Sequence, residues 1–130
     1  MSYSIDFEQE LHAVRVTFTG EITVEDIRQV FEAVYTGQYS SDINAIWSFE
    51  GMFTEATVME VFELAKFTLS KREITGNPAT AFVVFDAKAK MFCEKYSLLV
   101  KNAPYELKVF TDVESAEDWI KHRQQSQRVS

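Results

Sequence analysis

The residues predict one α/β domain: a five-stranded, mixed and mostly parallel sheet with four helices, its first strand antiparallel. Three observations carry that expectation. Hydrophobic spacing switches between a period of two and a period near 3.6 along the chain, so strand-like and helix-like segments alternate. Residues 43–49 and 81–85 are nearly continuous apolar runs of strand length, the pattern of strands covered on both faces and paired in parallel. The 130 residues are 46% hydrophobic with no internal repeat or linker, enough for one domain to bury roughly two-thirds of the surface its unfolded form exposes.

The elements follow in order. Tyr3, Ile5 and Phe7 alternate with polar residues, and Val14, Val16 and Phe18 alternate with Arg15, Thr17 and Thr19. With a polar break at 8–10, this reads as an antiparallel hairpin with one buried face. Thr23 and Asp26 have the spacing of a capping box, in which each side chain accepts from the other's backbone N–H. Ile27, Val30, Phe31 and Val34 then form a helical stripe, and Gly37 supplies its stop. Glu50-Gly51 breaks the strand that contains Trp47. A long second helix is expected from Thr54 or Glu55 to about Arg72, with Val58, Phe62, Ala65 and Leu69 facing inward.

Thr75-Gly76-Asn77-Pro78 is a turn signal before the strand at 81–85. Asp86 can cap a third helix, with Phe92, Tyr96 and Leu99 inward, Ala89, Cys93 and Val100 beside them, and Pro104 marking its end. Leu107, Val109 and Phe110 belong to the last strand. Asp112 caps a final helix that turns Val113, Ala116, Trp119 and Ile120 to the core. The domain is expected over 1–124, with 125–130 a polar, frayed tail.

Composition excludes several classes. Thirteen basic against 20 acidic residues give a net charge of −7, which argues against nucleic acid as a partner. A single cysteine excludes a disulfide- or zinc-stapled fold. No apolar run reaches the length of a spanning helix and the polar start is no signal peptide, so the expectation is a cytoplasmic protein, at most peripheral at a membrane.

Four places carry a resemblance. They are the hairpin ending Phe18-Thr19-Gly20-Glu21-Ile22-Thr23, the strand Ala45-Ile46-Trp47, the strand Ala81-Phe82-Val83-Val84 after Gly-Asn-Pro, and the closing Lys108-Val109-Phe110-Thr111-Asp112 with Ala116 and Trp119-Ile120. On these the chain resembles the SpoIIAA-like proteins, in the fold group of STAS domains and, more distantly, CRAL-TRIO lipid-binding domains. In anti-sigma-factor antagonists of that group, an Asp-Ser-Ser-Gly-like segment after the third strand holds the phosphoacceptor. The corresponding stretch here, Trp47-Ser48-Phe49-Glu50-Gly51-Met52-Phe53-Thr54, lacks that pairing, and Thr54 reads as a helix cap. For relatives without the phosphoacceptor, the resemblance implies a small apolar ligand or a membrane-surface role.

Catalytic chemistry finds little footing. Cys93 lies on an apolar helix flank, where a thiol behaves as a small hydrophobe. His12 and His122 have no acidic or cysteine neighbour at ligand spacing, so no metal and no cofactor is expected. Ligands in open α/β sheets sit beyond the carboxyl ends of the strands. Of the carboxylates there, Asp86 and Asp112 serve as caps, which leaves Glu50 without a local task. The expectation is a protein that is not an enzyme.

One feature exceeds what a core requires. Met52, Phe53, Val58, Met59, Val61, Phe62, Leu64, Ala65, Phe67 and Leu69 spread around the second helix beyond a single stripe. Either the core face is broad, with Met52-Phe53 folded back as a plug, or the excess lines a pocket, a partner surface or a membrane contact. Met91 and Leu98 on the third helix could line a gap from the other side. Lys88, Lys90, Lys95 and Lys101 form a local basic cluster that could hold an anionic head group. The candidate ligand-binding residues are Trp47, Glu50, Met52, Phe53, Met59, Leu64, Phe67, Met91 and Leu98, and the candidate head-group residues Lys88, Lys90 and Lys95. The expected function is a non-enzymatic binding or regulatory module for a small hydrophobic ligand or a membrane surface; the alternative is a protein–protein adaptor or homodimer.

Overall fold

A computed structural model describes residues 3–35, 39, 42–71, 79–101 and 106–129, excluding the side chains of 56 and 124–129. The hairpin forms as β1 (Tyr3–Glu8) and β2 (Ala13–Phe18), joined through a short 3-10 turn (Gln9–Leu11) that His12 closes at φ 47°. Next come β3 (Glu21–Ile22), α1 (Val24–Tyr35), β4 (Asn44–Phe49), β5 (Met52–Phe53), α2 (Glu55–Met59) and α3 (Val61–Ser70). The chain ends with β6 (Ala79–Val84), α4 (Ala87–Leu99), β7 (Glu106–Phe110) and α5 (Val113–Val129).

The five-stranded sheet has the order β1-β2-β4-β6-β7. β1 is antiparallel to β2, and every other pairing in it is parallel, as expected. The two central strands, β4 and β6, are buried at all positions. Alternation sorts each strand to two faces. Val14, Val16, Phe18, Trp47, Phe49, Phe82 and Val84 face α1, α3 and α4, while Ala13, Ile46, Ala79, Ala81 and Val83 face Ala116 and Ile120 of α5. At the amino ends of the strands the buried Asn44 side chain donates to Leu11 O (3.2 Å) and accepts from Ala79 N (3.0 Å), tying β4 to β6 and to the turn before β2.

The caps form as the residue types require. Asp26 N donates to Thr23 Oγ1 (3.1 Å) and Thr23 N to Asp26 Oδ2 (3.2 Å), closing the capping box. Ala89 N donates to Asp86 Oδ1 and Ser115 N to Asp112 Oδ1, both at 2.7 Å. The expected stops at Gly37, 75–78 and Pro104 lie outside the described residues.

Four features differ from expectation. β3 and β5 form an additional two-stranded parallel sheet, Glu21 paired with Met52 and Ile22 with Phe53. β6 begins at Ala79 and ends at Val84, which leaves Phe85 past the strand and more than half exposed. The expected long second helix is two helices, α2 and α3, with Glu60 between them, and its inner face is different. Thr57, Val61, Leu64, Ala65 and Thr68 are buried, whereas Phe62 points outward and Val58 and Leu69 are half-buried. The cause is the two threonines. Thr57 Oγ1 donates to Ile22 O (2.9 Å), and Thr68 Oγ1 donates to Leu64 O (3.0 Å) and accepts from Tyr96 OH (2.7 Å). Satisfied hydroxyls bury at little cost, but a stripe drawn through apolar residues alone is displaced toward Phe62. The carboxyl-terminal residues expected to fray continue α5 to Val129.

Arg15 crosses from the sheet to α5. Its guanidinium donates to Glu8 and to Glu117, 2.6 Å each. The hydrogen bond from Arg15 holds the Glu8 carboxyl below its ordinary 4.5, burial opposes this, and the guanidinium charge adds to the lowering. A carboxyl lowered in the folded state stabilises above its unfolded value and ceases to as pH falls through its folded one. The stability difference between wild type and Arg15→Met, measured by urea denaturation, is therefore expected to be widest near neutrality and to narrow below about pH 4.5.

Candidate functional site

The sequence candidates divide between two places. The first is a chamber between the sheet and the helices. β4 contributes Trp47 and Phe49, β6 Thr80 and Phe82, α1 Ile27, Phe31 and Tyr35, α3 Leu64 and Thr68, and α4 Phe92 and Tyr96. Their side chains meet because alternation turns 47, 49, 80 and 82 to one face and helical spacing turns 64 and 68, and 92 and 96, back toward it. Aromatic contacts knit the walls: Trp47 lies against Phe18 and Phe82 at 5.8 and 5.7 Å between centroids, and Phe53 meets Phe92 edge-on at 4.5 Å. The room left for a water-sized sphere is about 20 Å³. Burial pushes the Tyr35 phenol up to about 12, partly offset by the neighbouring Thr80 hydroxyl. The approach of Tyr35 to Thr80 is too loose to count as a hydrogen bond, and Thr80 Oγ1 and Trp47 Nε1 are buried with no protein partner.

Trp47 and Leu64, proposed from sequence as ligand contacts, line this chamber, and Phe53 is buried beside it. Phe67 is half-buried on the α1 side, edge-on to Phe31 at 5.7 Å, with the Arg28 and Lys71 cations over its ring. Met91 and Leu98 are not among the residues lining this chamber; both are more than half exposed.

The second place is the outer surface of the α2–α4 layer. Phe62 and Lys66, four apart on α3, point away from the buried Val61, Leu64, Ala65 and Thr68, and Met59 (76% exposed) ends α2 just before them. Met91, Lys95 and Leu98 (72% exposed) are spaced four and three apart on α4, and Lys88 begins that row. Lys88 Nζ reaches Glu55 Oε2 at 3.4 Å, linking the first turns of α2 and α4 at the surface, and α3 packs against α4. Met52 (73% exposed) projects from β5, which packs against α2 and α4. Lys90 falls on the other flank of α4, beside a hollow lined by Phe85, Asp86 and Thr111, and so does not join the cluster. Phe62, absent from the sequence candidates, belongs to it; its place three residues after Met59 was the available signal.

Residues 51–101 carry seven basic and six acidic side chains and residues 102–130 four and five, whereas residues 1–50 carry two basic and nine acidic, so the chain's negative charge lies in its first 50 residues.

Glu50 lies at the carboxyl end of β4 on an open hollow of about 440 Å³ that it shares with Glu21, Met52, Phe53 and Thr54. That lining holds two carboxylates, Glu21 and Glu50, and no histidine, cysteine or lysine. Cys93 is fully buried, and burial raises its thiol well above the ordinary value, with Asp86 and Glu94 adding to the rise. Among the described residues no cluster of three or more metal-ligating side chains exists, and no helix is long and apolar enough to cross a membrane.

Comparison with known proteins agrees with this architecture. A family model described as SpoIIAA-like matches residues 13–121. A crystal structure of an uncharacterized protein with a SpoIIAA-like fold from Shewanella loihica superposes with a TM-score of 0.59, covering 92% of this chain and 94% of that one at 17% identity. At that identity the likeness is one of fold. No curated protein matches the chain.

Proposed function

The chain belongs to the SpoIIAA-like family, and from that premise we propose that it is a non-enzymatic binding module that docks through its α2–α4 surface onto an anionic membrane leaflet. One observation carries the reading: five of the large apolar side chains that stay more than half exposed, Met52, Met59, Phe62, Met91 and Leu98, belong to β5 and to the packed helices α2, α3 and α4. Large apolar side chains gathered on one face mark a contact surface rather than scattered exposure. Methionine suits such a surface because its unbranched, polarizable side chain adapts to an irregular partner. Lys88, Lys95 and Lys66 stand among the apolar residues, and each lysine near an anionic leaflet adds about 1 kcal/mol of attraction. The chamber, with room for about one water, supports a bound lipid tail less well than the surface supports a leaflet.

Co-sedimentation with vesicles tests this. Binding is expected to vesicles of mixed phosphatidylcholine and phosphatidylglycerol, weakening as salt rises, and not to phosphatidylcholine alone. Leu98→Glu and Met59→Glu are each expected to reduce partitioning tenfold or more, since each forfeits burial worth about 1.5–3 kcal/mol. Lys95→Gln is expected to reduce it about fivefold. No binding to either vesicle, together with concentration-dependent dimerisation that Leu98→Glu abolishes in light scattering, would replace the leaflet by a second copy of this chain.

A further inference from the structure

The chamber holds two polar atoms that nothing in the protein satisfies. Trp47 is 4% exposed and Thr80 5%, and Trp47 Nε1 and Thr80 Oγ1 have no hydrogen-bond partner. Both residues line the same space. They are diagonal neighbours on adjacent parallel strands, because Ala45 pairs with Thr80 and Trp47 with Phe82. Parity sends both side chains to the helix-covered face, and diagonal neighbours lie about 7–8 Å apart at the backbone, within reach of a long aromatic side chain. An indole N–H can only donate, whereas a threonine hydroxyl can donate or accept. The two therefore suit a small neutral guest with both an acceptor and a donor.

The size of the space narrows the guest further. About 20 Å³ open to the centre of a water-sized sphere is enough to admit water. The other polar groups on the wall are largely engaged: Thr68 Oγ1 donates to Leu64 O and accepts from Tyr96 OH. The Tyr35 hydroxyl, which lines the same space beside Thr80, can supply a third contact.

We infer that the chamber is a binding site for one internal water, which accepts from Trp47 Nε1, donates to Thr80 Oγ1 and meets the Tyr35 hydroxyl. This assignment is independent of the membrane reading, since none of these residues lies on the outer surface. It explains why polar atoms occur in an aromatic wall. The water makes a connection between β4, β6 and α1 that neither side chain makes directly, and it directs the Trp47 indole toward Thr80.

The two possibilities predict opposite signs for one substitution. Thr80→Val keeps shape and removes the hydroxyl. If the hydroxyl holds a water, its loss leaves that water underbonded, and the melting temperature is expected to fall by about 3–5 °C. If the hydroxyl is an unsatisfied atom in a dry cavity, its removal raises the melting temperature instead. Because Thr80→Val also alters the neighbourhood of Tyr35, Trp47→Phe and the double variant complete a cycle. A bridging water couples the pair, so Thr80→Val is expected to cost less in the Trp47→Phe background; strict additivity would overturn the proposal. In a crystal structure, a density peak within 2.7–3.2 Å of both Trp47 Nε1 and Thr80 Oγ1 is expected. Xenon occupying the chamber of a pressurised crystal, with no ordered water there, would overturn it equally.

Discussion

Gly51→Ala is expected to lower stability by about 3 kcal/mol or more, read as a fall of about 10–15 °C in the thermal melt followed by circular dichroism. At Gly51 the end of β4 crosses the end of β2. Glu50 N donates to Phe18 O (2.9 Å) and Met52 N to Gly20 O (2.7 Å), and from there β3 and β5 pair in parallel. A Cβ at position 51 would run into the Gly20 carbonyl oxygen, and would lie 2.8 Å from Thr19 C and 2.9 Å from Gly20 N. All three are backbone atoms, and Gly20 O accepts from Met52 N, so no side chain can turn aside to make room. Gly20→Ala is the informative contrast. Gly20 has φ +65° but open space around its would-be Cβ, so only the left-handed backbone penalty of about 1–2 kcal/mol is expected. Equal effects at the two positions would show that backbone conformation, and not the close crossing, makes glycine necessary at 51.

Phe49→Ala is expected to cost about 3–5 kcal/mol, as a lower urea midpoint with an unchanged slope. Phe49 is 1% exposed at the centre of the aromatic layer. It stacks on Phe18 at 5.1 Å and meets Phe53 and Phe82 edge-on, both at 5.3 Å. Its loss opens a cavity bounded by rings whose own contacts hold them in place, so little collapse can fill it. Phe62→Ala removes the same side chain from a surface 56% exposed and is expected to change stability by less than about 0.5 kcal/mol. The stripe read from apolar spacing, with Phe62 inward, predicts a severe effect at Phe62. The pair of measurements thus decides between the linear pattern and the packed arrangement.

Much of the fold was readable before any coordinates. The hairpin, both central strands and the caps at Thr23–Asp26, Asp86 and Asp112 depend on residues at most a few positions apart, and these local hydrogen bonds form as their spacing implies. The SpoIIAA-like resemblance rested on the same core positions and extends over residues 13–121. The candidate site was less readable. Surplus apolar side chains around the second helix were visible, but not which of them the core would take. Leu64 went in and Phe62 out because Thr57 and Thr68 found partners at Ile22 and Tyr96, distant in the chain. Lys88 and Lys90, two positions apart, were separated onto different flanks of α4 by helical geometry.

What the residues determined alone is therefore the alternation of strands and helices, the parallel interior and the capped helix starts, each governed by local dihedral preference and short-range hydrogen bonding. Tertiary structure alone decided the inward face of α3, the close approach at Gly51 and the exposure of Met59, Phe62, Met91 and Leu98. It also decided the meeting of Trp47 with Thr80. Each of these depends on pairs brought together by packing across the sheet, where burial of a polar group is permitted only by a partner that linear spacing does not reveal.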